Sequence, residues 1–435
     1  MLAALRRFRL TEFQLLVVPS LMTVVGLLTI FLARTGTTTW TWSDIWISLA
    51  YVAFIFAMSI WFSLRGFGGD EVLFPIVATL AGIGLLVIQR LGPDLAAQDP
   101  RLSGLAAKQV VYLAAGLFLL WGIVVFVRRL DWLRRYKYTW AFCGLLLMVV
   151  TMVAGTSIGG ARLWLSLGPI TIQPSELVKI ILVVFLAAYL DDYRGLITGS
   201  YRIWRINLPP IPYLLPMAVM WGMSLLVVIF QNDFGTALLF FGIFLAMLYI
   251  ATGRMLYVLV GLILFAAGVY GAYHAVPHVA TRIQNWTDPW RDPLVAGFQP
   301  IQSDYALAAG HIFGAGLGFG SPTAIPQVYS DYVFAAIGEE LGLLGSVAVV
   351  LLYLLLITRG ALIALRANGG FPQLLAAGLT TILAVQTLII VGGVLRLIPL
   401  TGITLPFISA GGSALLTNFI AVGLLLKISD AGTRL

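Results

Sequence analysis

The sequence predicts an all-α polytopic membrane protein with about twelve transmembrane helices and one long extracytoplasmic loop. Of its 435 residues, 60% are hydrophobic and only 10% are charged. A water-soluble domain could not bury that much apolar surface, so we expect the surrounding solvent to be lipid. The apolar residues also form long continuous runs, unlike the alternating short strands of a membrane β-barrel. Both observations favour a bundle of membrane-spanning helices.

The predicted spans are apolar runs close to the ~20 residues that a helix needs to cross a bilayer. They lie at roughly 13–33, 44–65, 73–89, 109–127, 138–155, 173–190, 211–230, 234–251, 255–275, 338–358, 373–395 and 405–427. The sixth run is short and carries charge, so it is the least typical span. The first run is long enough to span and lacks a small-residue cleavage site, so we expect no cleavable signal peptide.

The distribution of Lys and Arg predicts the orientation. With the N-terminus inside, 17 of the 26 basic residues lie in cytoplasmic segments, 8 lie on the opposite side, and Lys179 lies within a span. The positive-inside rule therefore places both termini in the cytoplasm and the loop 276–337 outside. ATP and nucleotide sugars are not available there, so an activated lipid is the expected energy source for any synthesis. The net charge of +8 resides in short loops between spans and does not indicate nucleic-acid binding.

Metal and disulfide chemistry has little support in the composition. Cys143 is the single cysteine, which excludes a disulfide within the chain and argues against a thiolate-ligated metal. Three histidines in the whole chain argue against a His-rich metal site. We therefore predict no dedicated metal site.

A pair of charges marks the start of the sixth span, in the run QPSELVK at 173–179. Pro174 suits a first helical turn, and Glu176 and Lys179 are three residues apart on one helix face. Charges at the mouth of a span are costly unless they pair or line a wet cavity, so both are functional candidates. The alternative is a structural ion pair that fixes the start of the helix.

Asp233 lies in a very short outer turn between two spans, in the run QNDFGT at 231–236. Its position suits the N-cap of the eighth span, and we favour that role over direct catalysis.

The loop 276–337 is the most informative segment, because membrane proteins usually join their helices by short turns. Its Gly, Pro, Trp and Asp content predicts a shaped surface, with a string of turns at 282–293 and a short helix near 303–310. Alternate glycines follow at 310–320. They could present N–H groups to an anion such as a diphosphate, or could simply allow the loop to fold.

Asp331 lies where this loop re-enters the membrane, in the run YSDYVFAAIGEELG at 329–342. A partly desolvated carboxylate there would have a raised pKa, in the range useful for a general base. Capping of the following helix is the competing role, although Ser330 could provide the cap instead. Glu339 and Glu340 either anchor the interface or help to tune Asp331.

The segment PLTGITLPFISAGGS at 399–413 precedes the last span. Its Pro and Gly residues interrupt helix at membrane depth, which is tolerated only where protein or a cavity covers the backbone.

Four of these segments, in this order and spacing, resemble the SEDS family (shape, elongation, division and sporulation), which includes RodA, FtsW and SpoVE. They are the segments at 173–179, 231–236, 329–342 and 399–413. The resemblance covers roughly 155–428 and is specific in QPSExxK, DYVFA…EELG and PFISxGGS. It implies a ten-helix core, two helices fewer than the twelve predicted here. We assign residues 136–435 to the catalytic membrane core and residues 1–135 to the N-terminal transmembrane helices, which include the two surplus helices. It also implies a peptidoglycan glycosyltransferase that polymerises lipid II for cell elongation or division. The family works with a class B penicillin-binding protein, a transpeptidase.

The resemblance assigns roles to individual residues by their motifs. The family's essential loop aspartate corresponds to Asp331, and its charged helix pair corresponds to Glu176 and Lys179. Trp164 matches the tryptophan of the family's usual Ala-x-Arg-Trp run. The final motif adds three supporting residues, Ser409, Gly411 and Gly412.

The chain departs from the family pattern at three positions. Leu163 stands where Arg is commonest, with Arg162 one place earlier. Asn232 replaces the commoner Pro before Asp233. Ala410 replaces the usual Tyr of the final motif.

The resulting hypothesis is an inverting glycosyl transfer on the outer face of the bacterial cytoplasmic membrane. Asp331 would accept the proton of the attacking sugar hydroxyl, and undecaprenyl diphosphate would leave. Lys179 and Arg162, with Arg282 behind them, would stabilise the leaving charge, and Glu176 would hold Lys179. A divalent cation (Mg or Mn) could supply part of that charge.

Two other functions stay open at this point. Intramembrane charges would equally suit a lipid II flippase, although the inverted repeats common in transporters are not evident. The second alternative is a non-catalytic scaffold that recruits and activates a transpeptidase.

Overall fold

The computed structural model describes residues 9–33, 42–158, 161–168, 170–197, 201–203, 206–208 and 211–433. Within these residues, nine helices are long and apolar enough to cross a membrane. A helical multi-pass membrane protein is therefore confirmed, while the count of twelve spans stays a prediction. Five short strands in the same residues are a departure from a purely α-helical chain.

The α-helices of the described residues are α1 Leu10–Leu15, α2 Val17–Ala33, α3 Trp42–Leu64, α4 Leu73–Gln98, α5 Leu105–Phe126, α6 Asp131–Arg135, α7 Lys137–Ala154, α8 Pro174–Ile197, α9 Ile211–Phe230, α10 Phe234–Thr252, α11 Met255–Ala275, α12 Pro277–Thr287, α13 Phe298–Ala309, α14 Val333–Arg366, α15 Gly370–Val394 and α16 Gly412–Thr433. The strands are β1 Thr156–Ile158, β2 Ala161–Leu167, β3 Ile170–Ile172, β4 Tyr201–Ile203 and β5 Ile206–Leu208. They form an antiparallel sheet β1–β2–β3 and an antiparallel pair β4–β5.

The long loop contains more helix than its composition predicts. The string of turns at 282–293 is wrong over its first half, because α12 continues to Thr287. Pro277 occupies the first position of α12, where its missing N–H costs no hydrogen bond. The short helix predicted near 303–310 is α13, which begins earlier, at Phe298. Both helices are short and mixed in polarity, so apolar runs do not reveal them.

Several predicted span boundaries differ by more than a few residues, and two of these lie next to the candidate site. Helix α14 begins at Val333 rather than 338 and contains a break at Gly342, whose φ of 68° is left-handed. Helix α16 begins at Gly412 rather than 405. Residues 399–411 stay outside helical structure because they are held by contacts with other segments, described below.

The chain divides into two compact units. The first comprises residues 1–124, 281–359 and 387–435, and the second comprises 125–280 and 360–386. The predicted site residues of the first unit are Arg282, Asp331, Ser409, Gly411 and Gly412. Those of the second unit are Arg162, Trp164, Glu176, Lys179 and Asp233.

In the first unit, the N-terminal helices α2 and α3 cover one side of α4. A Cβ atom at Gly26 would lie 2.6 Å from Leu86, so glycine permits the close approach of α2 to α4. The Tyr51 hydroxyl of α3 donates to the carbonyl of Ala78 at 2.5 Å. These contacts bury α4 along most of its length.

In the second unit, α8 is the buried central helix, since nearly all of its residues from Pro174 to Leu190 are shielded from solvent. Its C-terminal end is tied to two other helices. Arg194 Nε donates to the carbonyl of Ala251 at 3.0 Å, and the Tyr257 hydroxyl donates to the carbonyl of Ile197 at 3.3 Å. These two contacts anchor the C-terminal end of α8.

Candidate active site

Asp331 lies in a tight turn two residues before α14. Gln327 has a left-handed φ of 57°, and its carbonyl accepts from the backbone N–H groups of Ser330 at 3.0 Å and Asp331 at 3.3 Å. The Ser330 hydroxyl donates to the same carbonyl at 3.2 Å. The turn therefore fixes the backbone that carries the carboxylate.

The non-helical segment 399–411 packs directly against this turn. Ser409 Oγ donates to the carbonyl of Ser330 at 2.6 Å and accepts from the N–H of Leu405 at 2.9 Å. The N–H of Ala410 donates to the carbonyl of Tyr329 at 2.8 Å. The structure thus brings Ser409 to the segment of Asp331, as a residue that joins the two backbones.

Segment 399–411 is itself held by the surrounding helices. Phe407 adopts a φ of 66°, and its carbonyl oxygen lies 2.6 Å from where a Cβ of Gly84 would be. The Tyr353 hydroxyl of α14 donates to the carbonyl of Pro406 at 2.5 Å. Protein therefore covers this interrupted backbone, as the sequence requires at membrane depth.

Gly411 and Gly412 provide close packing at the start of α16. A Cβ at Gly412 would lie 2.5 Å from the ring of Tyr112, and one at Gly411 would lie 2.9 Å from Thr404 Cγ2. A side chain at either position would displace its neighbour. The structure assigns these two glycines a packing role that supports the segment next to Asp331.

Arg282 places a positive charge near the Asp331 carboxylate. A Cβ at Gly402 would lie 3.5 Å from Asp331 Oδ2 and 4.0 Å from Arg282 Nη2, so both side chains converge on Gly402. Arg282 Nη1 also donates to the carbonyl of Thr401 at 3.1 Å. Helix α12, missed as a helix from the sequence, is the element that brings Arg282 there.

The surroundings of Asp331 suit a proton acceptor. Burial raises the pKa of Asp331 to about 6, while the Ser330 hydrogen bond and the Arg282 charge oppose that rise. Burial and the charge of Asp331 also raise the pKa of Tyr329, which keeps its hydroxyl protonated. A carboxylate that titrates near neutral pH can accept a proton and release it again.

In the second unit, Glu176 and Lys179 form a buried ion pair. Lys179 Nζ lies 2.5 Å from Glu176 Oε2 and 2.9 Å from Gln386 Oε1 of α15. The predicted i,i+3 pair is therefore present, with Lys179 only 1% exposed. Sequence reasoning missed Gln386, although a glutamine inside an apolar span is a signal that could have found it.

Arg162 and Trp164 lie on β2 of the small sheet. Trp164 is paired with Thr156 of β1, whose hydroxyl donates to the Trp164 carbonyl at 3.1 Å. Arg162 is paired with Ser157, and its side chain is exposed. Arg162 is thus available to an anionic ligand, whereas Trp164 is half-buried.

Asp233 caps α10. Its carboxylate accepts from the N–H of Thr236 at 3.0 Å and from the Thr236 hydroxyl at 2.6 Å. The N-cap role favoured from the sequence is confirmed. The preceding Asn232 has a φ of 61°, which the ring of proline could not adopt, so this departure from the family pattern changes the local backbone.

The Gly-rich segment at 310–320 uses its N–H groups within the protein. The N–H of Ala315 donates to the carbonyl of Glu339 at 2.9 Å, and that of Gly316 donates to the carbonyl of Glu340 at 3.0 Å. The N–H of Ser321 donates to Glu339 Oε1 at 2.6 Å. These contacts favour loop folding over an anion cradle. They also give Glu339 and Glu340 a definite role, as acceptors for this segment.

No group of three or more His, Cys, Asp or Glu side chains converges on a metal position in the residues that the structure describes.

Comparison with known proteins identifies the family. The sequence model of the family described as "Cell cycle protein", which covers FtsW, RodA and SpoVE, matches residues 71–433 of this chain. The chain belongs to the SEDS family. Peptidoglycan glycosyltransferase RodA of Mycobacterium tuberculosis is 40% identical over 371 residues, which cover 84% of this chain and 79% of the relative.

Two solved structures also resemble this SEDS chain. One comes from work titled "Structural coordination of polymerization and crosslinking by a peptidoglycan synthase complex", with 29% identity and a TM-score of 0.68 over 84% of this chain and 99% of the other. The second is the crystal structure of Thermus thermophilus RodA, with 26% identity and a TM-score of 0.60 over 83% of this chain and 96% of the other. The resemblance in sequence and in fold therefore extends over most of the chain.

Proposed function

We propose that this chain polymerises lipid II into glycan strands by inverting glycosyl transfer, with Asp331 as the general base. As a SEDS protein, the chain is a peptidoglycan glycosyltransferase of cell-wall synthesis. The proposal adds the substrate and the residues. Its main support is the carboxylate of Asp331 near the end of the loop 276–337. This carboxylate has a pKa of about 6 and lies close to the cation Arg282.

The reaction needs one displacement. The ionised Asp331 accepts the proton of a sugar hydroxyl of the acceptor lipid II as that oxygen attacks the anomeric carbon of the donor chain. The new glycosidic bond forms as the bond to undecaprenyl diphosphate breaks, so the anomeric configuration inverts. Asp331 then releases its proton to water, which restores the base.

The leaving diphosphate requires positive charge, and exposure distinguishes the candidates. Arg162 is exposed and Arg282 is half-buried, so both are accessible to a ligand. Lys179 is buried and neutralised by Glu176, with Gln386 as a second partner. We therefore assign the charge role beside Asp331 to Arg282, which lies in the same unit. Arg162 is proposed as an anion-binding residue of the second unit on its exposure alone, and the Glu176–Lys179 pair as a support at the start of α8.

The same proposal places the site outside the cytoplasm. The excess of Lys and Arg on one side supports cytoplasmic termini and an extracytoplasmic loop at 276–337. A class B penicillin-binding protein is the proposed partner. Its support is the similarity to a chain from a peptidoglycan synthase complex that couples polymerization and crosslinking.

The test is polymerisation of purified lipid II by the full-length protein together with its transpeptidase partner. Wild type is compared with Asp331→Ala and with Asp288→Ala, which removes an exposed acid of the same loop that makes no capping hydrogen bond. We expect glycan chains from wild type and Asp288→Ala, and none from Asp331→Ala of equal thermal stability. Equal polymerisation by all three would remove Asp331 as the base.

The same experiment distinguishes the alternatives. The buried Glu176–Lys179–Gln386 set would also suit a translocation path for a charged headgroup. If no variant makes chains but labelled lipid II crosses liposomes that contain the wild type, the protein is a flippase. If chains form only through the partner's own activity, the protein is a scaffold.

A further inference from the structure

Arg90 of α4 is a buried cation that the sequence did not single out. Only 4% of the residue is exposed. Its Nε lies 2.9 Å from Glu340 Oε1, its Nη1 lies 2.5 Å from Asp94 Oδ2, and its Nη2 donates to the carbonyl of Gly320 at 3.0 Å. The guanidinium therefore joins three segments of the chain: α4, the extracytoplasmic loop and the beginning of α14.

Two of these three segments are also joined to each other. Gly316 donates to the carbonyl of Glu340, and Ser321 donates to the carboxylate of Glu339. Residues 316–321 thus form a short arch fixed at both ends to the Glu339–Glu340 pair. Arg90 binds the arch through Gly320 and the pair through Glu340, which anchors both to α4.

The part of α14 that holds Glu340 is a separate short helix. It begins at Val333, and the break at Gly342 separates it from the rest of α14. Beyond the break, the N–H groups of Leu343 and Leu344 donate to the carbonyls of His311 and Ile312, at 3.0 and 3.2 Å. The helical piece 333–341 is about 13 Å long at ~1.5 Å per residue, with Asp331 just before one end and Glu340 near the other.

We propose that Arg90 is a positioning residue for glycosyl transfer, because it fixes the short helix 333–341 and the arch 316–321 against α4. The proposal rests on the assignment of Asp331 as the base. A short helix transmits displacement as a rigid rod, so release of Glu340 displaces the turn that carries Asp331. Arg suits this position better than Lys, because its planar fork presents donors in three directions.

A second Arg–acid contact offers a matched control. Asp70, just before α4, pairs with Arg359, near the end of α14, in the same unit. Both contacts join the α4 region to α14, but Arg359 lies about seventeen residues beyond the break at Gly342, roughly 25 Å along the helix. Its loss removes the cation beside the Asp70 carboxylate, whose Oδ1 still accepts from the N–H groups of Val72 and Leu73, without touching the arch or the helix 333–341.

The experiment compares Arg90→Met, Arg90→Lys and Arg359→Met in the full-length protein with its transpeptidase partner and lipid II. Each is assayed at the same interval below its own melting temperature. We expect Arg90→Met to lose at least tenfold in kcat with KM within about twofold, and Arg90→Lys to recover part of that loss. Arg359→Met should keep kcat within about twofold of wild type.

Amide hydrogen exchange supplies a readout that does not depend on activity. Arg90→Met should accelerate exchange at Ala315, Gly316 and Ser321, whereas Arg359→Met should not. If Arg90→Met does not fold, the double variant Arg90→Met with Glu340→Leu replaces the buried pair by apolar side chains, which often restores stability. We expect the double variant to be stable but slow.

Two results would overturn the proposal. One is a kcat for Arg90→Met, or for the double variant, equal to that of Arg359→Met. The other is unchanged exchange across the arch. If wild type makes no chains at all, the proposed function fails, and exchange alone then decides whether Arg90 holds the arch.

Discussion

Substitution of Arg282 by Gln is expected to move the acid limb of the pH–activity profile to higher pH. Arg282 opposes the burial that raises the pKa of Asp331. Removal of its charge therefore raises that pKa further, so a smaller fraction of Asp331 is ionised at a given pH. Activity that needs the ionised base should then rise with pH over a higher range than in wild type.

The structure sets the size of the effect. The position that a Cβ atom of Gly402 would occupy lies 3.5 Å from Asp331 Oδ2 and 4.0 Å from Arg282 Nη2. The two atoms are therefore separated by at most the sum of those distances, about 7.5 Å. At that separation two unit charges interact by ~0.5 kcal/mol at the dielectric constant of water and by ~2 kcal/mol at a dielectric constant of ~20. From a starting pKa of about 6, loss of Arg282 therefore gives a value of at least ~6.4 at the dielectric constant of water and at least ~7.6 at a dielectric constant of ~20. At pH 6 the ionised fraction falls from about one half to at most ~0.3 in the first case and at most ~0.03 in the second.

The assay is the initial rate of lipid II polymerisation between pH 5 and 8.5, normalised for each variant to its own high-pH plateau. Normalisation separates titration of Asp331 from any loss of diphosphate stabilisation, which lowers the plateau itself. Arg282→Lys keeps the charge and should keep the wild-type midpoint, as should Arg291→Gln, which alters an exposed residue of the same loop. An Arg282→Gln midpoint equal to wild type, or below it, would show that Asp331 does not limit the acid side of the profile.

Four further outcomes are expected. Gln386→Leu leaves buried Lys179 without one acceptor and should cost about 1.5–3 kcal/mol of unfolding free energy, measured by thermal denaturation in detergent. Gly402→Ala places a methyl group 3.5 Å from Asp331 Oδ2 at a residue whose φ is 77°. We therefore expect a larger effect on kcat than on the melting temperature. Asp233→Ala should cost about 0.5–2 kcal/mol while Asp233→Ser, which can also cap, retains both stability and polymerisation; loss of activity in the Ser variant would argue for a chemical role. Because the folded pKa of Asp331 lies above its ordinary value of 3.8, its contribution to stability is full below about pH 4 and is lost as pH rises through about 6. Asp331→Asn should therefore remove this part of the pH dependence of the melting temperature, and an unchanged dependence would contradict the raised pKa.

Interactions between residues close in sequence could be predicted in detail. Helical geometry places residues three apart on one face, and the Glu176–Lys179 pair is present as predicted. The N-cap of α10 by Asp233 is equally local. The motif resemblance identified the family and the segment of Asp331, because motif residues and their spacing can be read directly from the chain.

Interactions between distant residues could not be predicted. Gln386 is 207 positions from Lys179, and Glu340 is 250 positions from Arg90. Nothing in the local pattern of either residue identifies its partner, since each partner is selected by the way helices pack. The convergence of Arg282 on Gly402 likewise depends on α12, whose mixed polarity conceals it from an analysis of apolar runs.

The sequence by itself determined the membrane environment, the family and the segments proposed to carry the chemistry. Hydrophobic composition, the positions of Lys and Arg and short motifs are properties of consecutive residues, so no packing is needed to read them. Tertiary structure alone decided which N–H groups of the Gly-rich segment are already used, and which residues hold the turn of Asp331. Those features depend on close approaches such as Phe407 to Gly84, which arise only when helices and interrupted backbone pack at interior density.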